Sequence, residues 1–467
     1  MASASSLSRG TKVLALTSVG VFLVSLDVSV LNVAFGDMLA DFGADRRRAL
    51  TWVFSGYNIA YAAGLLTAGR LADVFGRKRA FLWGLGIFAI GSFLCGVAPN
   101  VEFVIAARVV QAVGGAMLTP ASLALVLPEF PIERRSAAIG IWGAIGGIAA
   151  ASGPTVGGLL VESLGWRWIF FVNLPFSVLA IVLGLRILSE SRDSASFRRP
   201  DLIGALLAMG GVGLVTLVIV QSDEWGWVGS RPVVVLVVGL LMILTFVARC
   251  RVVADPILDL GLMKLRFVSA ANVAALVFSA GFFGMFFVNV QWLQQVWGYS
   301  ATGSGLAMTP GPLTAAIVAY PAGRVVHRLG HHRVIALGAV LLAGGIAVLN
   351  LAVDTDAQYW SLYFPLMVIT GAGVGLALSS LSSAATAYLP PTRYAMGSAL
   401  NTTFRQVGAA LGLAIVASLL TAALSSSDPS RGFHRAWWFV SASVAAGGAV
   451  MMVLFRRPTD DELARAA

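Results

Sequence analysis

The sequence predicts an all-α integral membrane protein with fourteen transmembrane helices. The first observation behind this prediction is composition, because 58% of the 467 residues are hydrophobic and only 12% are charged. Water-soluble domains have about 45–50% apolar and about 25% charged residues, so that class of protein is excluded. The second observation is a series of apolar runs of about 20 residues, each long enough to cross a hydrocarbon core about 30 Å thick.

Fourteen such runs fill most of the chain. They cover residues 12–35, 50–70, 80–98, 101–127, 135–162, 167–189, 201–221, 231–253, 268–294, 301–326, 332–353, 360–388, 395–422 and 435–456. The first run is too long for the core of a signal peptide and is followed at once by another, so we expect it to be retained. An even number of spans places both ends of the chain on one side of the membrane.

Lysine and arginine set the orientation of these spans. Most of the 32 Lys and Arg residues lie in loops on the side of the two termini. Because short cytoplasmic loops are enriched in these residues, both termini are predicted to be cytoplasmic, in a multi-pass protein of the cell membrane. The net charge of +10 is therefore a topology signal, and no nucleic-acid partner is expected.

An internal repeat indicates a duplicated fold. Residues 68–79 read AGRLADVFGRKR and join spans 2 and 3, whereas residues 322–333 read AGRVVHRLGHHR and join spans 10 and 11. Duplicated bundles that rock about a central site are the general architecture of secondary transporters. The predicted parts are an N-terminal six-helix bundle over 1–190, a linker with two inserted helices over 191–262, a C-terminal six-helix bundle over 263–458 and a cytoplasmic tail over 459–467.

Four segments resemble signatures of the major facilitator superfamily. Residues 69–79 resemble the loop signature called motif A, with Val74 where the family usually has a basic residue. Residues 139–158 resemble motif C, the span 5 signature of exporters, with Ala149 in place of one expected glycine. The segments LDVSVLNVA at 26–34 and WRWIFFVNLP at 166–175 are similar to the fourteen-helix drug:proton antiporter branch.

This resemblance implies the major facilitator fold, with two six-helix bundles and two inserted helices. It also implies a multidrug efflux antiporter, of a kind linked to antibiotic resistance, that exports amphipathic or aromatic compounds by alternating access in exchange for protons. The expected partners are a lipophilic small molecule, protons and membrane lipids, and the expected state is a monomer. A lipid or glycolipid exporter on the same fold, and a membrane scaffold or sensor that does not transport, are the alternatives.

Three ionisable residues lie inside predicted spans, namely Asp27, Arg108 and Arg405. Charges at this depth are costly and often mark ion pathways. Asp27 and Arg108 lie about 12 and 10 Å from the same membrane surface at 1.5 Å per residue, so we predict that they form a pair, directly or through water. This pair either couples transport to protons or is a structural ion pair that fastens two helices.

The predicted substrate-binding residues lie on polar or aromatic stripes of the spans. They are Asn32, Gln111, Phe282, Phe286, Asn289, Asn401 and Arg405. Arg405 has no second intramembrane acid to neutralise it. It could hold an anionic substrate group, a carbonyl cluster or a water chain, or it could be a structural arginine capped by carbonyls.

Glycine-rich segments are the predicted conformational switch. Its residues are Gly69, Asp73, Gly76, Arg77, Gly153, Pro154, Gly157 and Gly158. Small residues at helical spacing in span 5 form a smooth face that lets another helix approach closely. Pro154 removes one backbone donor and is expected to bend that helix.

Enzymatic chemistry is not expected. The sequence has no nucleophile-elbow, zinc-protease or P-loop pattern, and its four histidines lie in loops or at a span edge. No metal site and no cofactor are predicted. Cys95 and Cys250 are predicted to lie about a bilayer apart, so they cannot pair with each other.

Overall fold

The computed structural model describes residues 9–191, 201–226, 229–253, 260–389, 394–424, 430–456 and 458–459. All regular elements in these ranges are helices. The first seven α-helices are α1 (Arg9–Phe42), α2 (Arg47–Phe75), α3 (Arg77–Gly96), α4 (Val101–Val126), α5 (Ile132–Leu164), α6 (Trp168–Phe171) and α7 (Asn173–Ile187). We call this set the N-terminal helices.

The remaining α-helices are an inserted group and a second large set. The inserted group is α8 (Leu202–Val220), α9 (Ser222–Trp225), α10 (Ser230–Arg249) and α11 (Leu260–Met263). The second set, the C-terminal helices, is α12 (Arg266–Gln295), α13 (Ala301–Met308), α14 (Pro310–Leu329), α15 (His331–Ala352), α16 (Phe364–Ala384), α17 (Tyr394–Leu424) and α18 (Ser430–Leu454). A π-helical turn, Tyr359–Tyr363, leads into α16.

Within the described ranges, eleven helices are long and apolar enough to cross a membrane. The predicted spans 2, 5 and 10 coincide with α2, α5 and α13–α14, which are not among these eleven. The prediction of an all-helical, multi-pass architecture is therefore confirmed, whereas the number fourteen stays a prediction.

Helix packing repeats between the N-terminal and C-terminal sets. Helix α1 packs on α5 as α12 packs on α17, and α2 packs on α4 as α14 packs on α16. The two sets meet at two interfaces, which we call seams. In one seam α2 packs on α17, and in the other α5 packs on α13 and α14. Since α2 corresponds to α14 and α17 to α5, the two seams pair equivalent helices, as a two-fold relation between the sets requires. The predicted part boundaries at 190, 262 and 458 remain predictions.

The inserted helices lie against one of these seams. Helix α8 packs on both α2 and α17, and α10 packs mainly on α8. Arg249 Nε, at the end of α10, donates to Asp201 Oδ1 over 2.8 Å, and the same oxygen caps α8 by accepting from the backbone N–H of Gly204. The outer face of α10 exposes large aliphatic side chains such as Val234 and Leu244, as a lipid-facing helix does.

The two sets are in close contact at one end of the structure, which we call the distal end. It carries the connections after α1, α3 and α5, and the opposite end is the terminal end. Gln294 Nε2 of α12 donates to Val33 O of α1 over 3.2 Å, and the rings of Phe35 and Phe287 meet edge to face at 5.0 Å. The hydroxyl oxygens of Thr155 and Thr309 are 2.7 Å apart. The distal end is therefore closed between the two sets.

Glycines allow the closest of these distal approaches. A Cβ atom at Gly158 of α5 would lie 2.5 Å from the Cα atom of Thr302, and one at Gly305 would lie 2.1 Å from Pro154 O. Both distances are below any normal contact with a Cβ atom. A side chain at either glycine would thus force α5 and α13 apart.

We predict that Gly158→Leu opens the distal end. The added side chain would overlap backbone atoms of Ala301 and Thr302, so the seam has to separate. Cross-linking between cysteines introduced at Val33 and Gln294 should slow by several-fold. Gly86→Leu is the matched control, since a Cβ atom there meets nothing within 4 Å, and it should leave the rate unchanged. Equal cross-linking in both variants would contradict the prediction.

Candidate functional site

A buried ion pair lies inside the N-terminal helices. Arg108 Nη1 of α4 donates to Asp27 Oδ2 of α1, and the two side chains are each only 1% exposed. Gln111 Nε2, one turn along α4, donates to Asp27 Oδ1 over 2.8 Å. Arg108 Nη1 also donates to Gln111 Oε1 over 2.7 Å. The predicted contact between Asp27 and Arg108 is confirmed as a direct one.

Helices α3 and α7 complete the shell around the carboxylate. Asn173 Nδ2 of α7 donates to Asp27 Oδ1 over 3.2 Å and to Ser92 Oγ of α3 over 3.0 Å. Ser92 Oγ donates in turn to Phe170 O over 2.8 Å. Both carboxylate oxygens thus accept hydrogen bonds, as a buried charge requires. Asn173 is not among the site residues predicted from the sequence, although it lies in the WRWIFFVNLP segment that carries the family resemblance.

Arg108 also reaches α2, the helix that packs on the C-terminal set. Its Nε atom donates to Val53 O over 3.2 Å, and its guanidinium carbon lies 4.0 Å from the centroid of the Tyr57 ring. A cation over an aromatic face at this distance is attracted to it. Between Val53 and Tyr57 on α2, Ser55 Oγ donates to Ala410 O of α17 over 3.4 Å. The ion pair is therefore linked, through α2, to a seam between the two sets.

A small cavity adjoins the pair. Its volume is about 10 Å³, which is roughly the room that one water molecule requires. Its lining is Val28, Leu31, Asn32, Phe54, Asn58, Arg108, Phe283 and Leu413, so both sets contribute. The Oδ1 atoms of Asn32 and Asn58 are buried and have no hydrogen-bond partner in the described part of the chain. The cavity therefore presents two amide groups to a polar ligand beside Arg108.

The predicted substrate-binding residues fall in different surroundings. Asn32 lines the cavity, whereas Gln111 belongs to the Asp27 shell. Phe282 and Phe286 pack edge to face at 5.4 Å and are partly exposed. Asn289 is buried and its Oδ1 accepts from Trp437 Nε1 over 2.8 Å. Their role in binding substrate remains a prediction.

On α17, the two predicted polar residues are placed differently. Asn401 is buried and its Nδ2 atom donates to Asn272 Oδ1 of α12 over 3.1 Å. Arg405 is partly exposed and lies close enough to Tyr61 of α2 for an electrostatic interaction. The Tyr61 hydroxyl shares a 2.7 Å hydrogen bond with Thr119 Oγ1.

The predicted switch residues are only partly described. The side chain of Asp73 and the neighbours of Gly69 lie outside the described residues. Gly76 has a φ of +111°, which favours glycine, and it ends α2. Glu190, after α7, accepts from the backbone N–H groups of Lys78 and Arg79 over 3.1 and 3.3 Å. The described contacts of this loop are thus with the N-terminal helices, and its role as a switch stays a prediction.

Arg77 and the span 5 residues can be followed further. Arg77 Nη1 donates to Ala124 O of α4 over 3.5 Å. Gly153 and Gly157 pack against Ser29 and Val30 of α1, within the N-terminal helices. Gly158 and the carbonyl of Pro154 instead face α13 across the seam. Helix α5 runs through Pro154 without interruption.

The fold and this buried site define a class, that of a multi-pass membrane transporter in which two helix sets meet around a central seam. The chain belongs to the major facilitator superfamily, whose model matches residues 17–253 and 272–467. The family is one of transporters, so this protein is a transporter and not an enzyme. The resemblance to the multidrug efflux type is confirmed by its curated relatives.

Three of these relatives are named for drug resistance or antibiotic export. The chain is 34% identical to "Multidrug resistance protein Stp" of Mycobacterium tuberculosis over 88% of this chain and 76% of the relative. It is 35% identical to "Puromycin resistance protein pur8" of Streptomyces alboniger over 86% and 80%, respectively. It is 35% identical to "Cephamycin export protein CmcT" of Amycolatopsis lactamdurans over 94% and 90%.

Solved structures share the fold at low sequence identity. The inward open conformation of the xylose transporter XylE from E. coli is 12% identical, with a TM-score of 0.65 over 98% of this chain and 99% of that one. A POT family transporter in complex with 5-aminolevulinic acid is 13% identical, with a TM-score of 0.65 over 95% and 96%. At this identity the likeness shows the fold alone.

We predict that Arg108→Met destabilises the protein by about 3–5 kcal/mol, the usual result of leaving one partner of a buried pair uncompensated. Because Asp27→Asn removes the orphaned charge, the double variant should recover much of that loss. The free energy of unfolding in detergent micelles measures both effects. A double variant whose loss equals the sum of the single losses would show that the two residues do not interact.

Proposed function

We propose that this transporter exports amphipathic or aromatic drug-like compounds in exchange for protons, by alternating access, with Asp27 as the proton carrier. The observation that carries the proposal is the buried Asp27 carboxylate, held by one arginine that also binds α2. The names of the curated relatives, which include multidrug resistance and antibiotic export proteins, support the direction of transport and the class of cargo.

Protonation of Asp27 changes what Arg108 binds. A neutral carboxylic acid holds a guanidinium far less strongly than a carboxylate does. Arg108 would then depend on Val53 O, the Tyr57 ring and Gln111, and two of these three belong to α2. Gaining or losing one proton therefore shifts the balance of contacts between α1 and α2.

That shift reaches the seam between the helix sets. Val53 and Tyr57 flank Ser55, whose hydroxyl donates to Ala410 O of α17. In this structure the distal end is closed and Asp27 is buried, so a proton from the distal side requires the seam to open. We propose that the distal side is extracellular, with both termini cytoplasmic in the cell membrane, and that the monomer is the working unit.

The walls of the proposed cargo site suit lipophilic molecules once the seam between the helix sets opens. The cavity beside Arg108 has mostly apolar walls, including Phe54, Phe283 and Leu413, with the amides of Asn32 and Asn58 as polar handles. Pockets of this composition accept varied ligands, because apolar contact is not directional and few polar groups have to match. An opening of the seam would enlarge this cavity between α2, α12 and α17.

Asp27→Asn tests the coupling directly. In inverted membrane vesicles with an acidic interior, the parent should accumulate a fluorescent lipophilic dye in response to the gradient. The variant keeps a similar shape and cannot ionise, so its gradient-driven uptake should fall to the level of vesicles without a gradient. Asp41→Asn is the matched control, since Asp41 pairs with Arg167 at the distal end and should leave coupling intact.

Undiminished gradient-driven uptake by Asp27→Asn would overturn the proposed proton carrier. If dye transport and every resistance phenotype also survived unchanged, a scaffold or sensor would be the better interpretation. Competition by membrane lipids against the dye would instead favour a lipid exporter.

Charge selectivity gives a second test. Among the described residues, the buried acids are Asp27 and Asp201, and each is paired with an arginine, so a second positive charge on the cargo finds no free acid. A dicationic dye should therefore be exported at least about ten-fold less efficiently than a monocationic dye of similar size, a difference of about 1.4 kcal/mol. Equal efflux of the two dyes, measured in the same cells, would contradict this.

A further inference from the structure

Arg405 lies deep in a membrane-spanning helix and has no counter-charge among the described residues. It lies twelve residues into α17, about 17 Å from the start of that helix at 1.5 Å per residue. Among the described residues, no carboxylate and no carbonyl oxygen accepts a hydrogen bond from its guanidinium. One alternative from the sequence was that Arg405 is a structural arginine capped by carbonyl groups. The described residues do not contain such a cap.

The direction of Arg405 follows from its neighbours on the same helix. Asn401 and Gly408 face α12, where they contact Asn272 and Leu276. At about 100° per residue, Arg405 is turned by about 40° from Asn401, towards the side on which α17 meets α2. The side chain is partly exposed and interacts with Tyr61 of α2, so it lies on the side of α17 that faces α2.

Tyr61 and Thr119 of the N-terminal helices lie near Arg405. Their hydroxyls share a hydrogen bond, and Tyr61 is close enough to Arg405 for an electrostatic interaction. The Tyr61 ring stacks on the Tyr57 ring at 5.9 Å with an interplanar angle of 11°. Tyr57 in turn lies under Arg108. The two stacked tyrosine rings thus lie between Arg108, whose charge is neutralised by Asp27, and Arg405, which has no acid partner among the described residues.

We infer that Arg405 binds an anionic group, such as a carboxylate or phenolate, of the transported compound. A guanidinium prefers such planar or delocalised anions and binds them through charge-assisted hydrogen bonds. The stacked rings of Tyr61 and Tyr57 are buried in this structure, and an opening of the seam between α2 and α17 would expose them to the apolar body of an amphipathic anion. This inference rests on the proposed export function and adds to it one substrate class, the amphipathic monoanions.

A matched pair of ligands tests the inference without relying on proton coupling. Equilibrium binding of anthracene-2-carboxylate and of its neutral methyl ester is measured on the purified full-length protein in uncharged detergent. The parent should bind the carboxylate more tightly than the ester. In Arg405→Gln the carboxylate should bind about ten-fold or more weakly, whereas ester binding should change by less than about two-fold.

Two further variants separate binding from folding. Arg405→Lys keeps the charge and should retain a preference for the carboxylate, although Lys lacks the planar fork. Arg266→Gln removes an arginine whose Nε atom bonds Leu454 O at the terminal end, and it should change neither affinity. Melting temperatures of all variants show whether a loss of binding is a loss of fold.

Several results would overturn the inference. They are a parent that does not prefer the carboxylate, an Arg405→Gln variant that loses both ligands equally, and displacement of the carboxylate by phosphatidylglycerol micelles, which would assign Arg405 to a lipid headgroup. None of these affects gradient-driven export of the neutral ester, so the proposed function can survive when this inference fails.

Discussion

The ion pair between Asp27 and Arg108 is the interaction on which the rest of the structure depends. Removing two charges from water costs several kcal/mol each, and only a complete shell of partners repays it. Here α1 supplies the acid, α4 the arginine and glutamine, and α7 an asparagine that is itself fixed by α3. The pair therefore ties together most of the N-terminal helices.

The same pair is connected to the seam between the helix sets. Arg108 binds Val53 O and lies over Tyr57, so the charge state of Asp27 bears on α2. Helix α2 packs on α17, and their contact includes a hydrogen bond from Ser55 to Ala410 O. In the proposed mechanism, a change of one proton at Asp27 would act at this seam, where a small difference in free energy can bias two alternative packings.

Close contact between backbones marks the seam at the distal end. Gly158 and Gly305 let α5 and α13 approach closely, because a Cβ atom at either position would overlap backbone atoms of the other helix.

Polar contacts also cross this seam. Neutral hydrogen bonds run from Gln294 to Val33 O and between Thr155 and Thr309. The Glu162 carboxylate of α5 adds a charged group that interacts with Ser300 and Thr302 on the other side. The proposed alternating access requires these contacts to break.

Composition and motif patterns were sufficient to predict the all-helical membrane fold, the family and the contact between Asp27 and Arg108. The depth of each charge in the membrane could be predicted from the sequence, because its position within a span gives its distance from the membrane surface. Asn173 and Ser92 could not be found in this way, since their role depends on how α7 and α3 rotate against α1. For the same reason, Asn401 was grouped with Arg405 on one stripe, although it bonds Asn272 within the C-terminal helices.

The packing of the inserted helices could not be predicted from the sequence either. Their length and apolarity predicted two spans. Nothing in the residues indicated that α8 would cover the seam of α2 and α17, whereas in the described part of the chain the inserted helices do not cover the seam of α5 and α14. The two equivalent seams therefore have different surroundings.

Asp27 is proposed to change its protonation during transport, and infrared difference spectroscopy of the protein in lipid can detect this change. On acidification without substrate, a carbonyl-stretch band of a protonated carboxylic acid should appear, and it should disappear when substrate is added. The band should be absent in Asp27→Asn and present in Asp41→Asn. A parent spectrum in which no such band depends on Asp27 at any pH or substrate concentration would contradict the account.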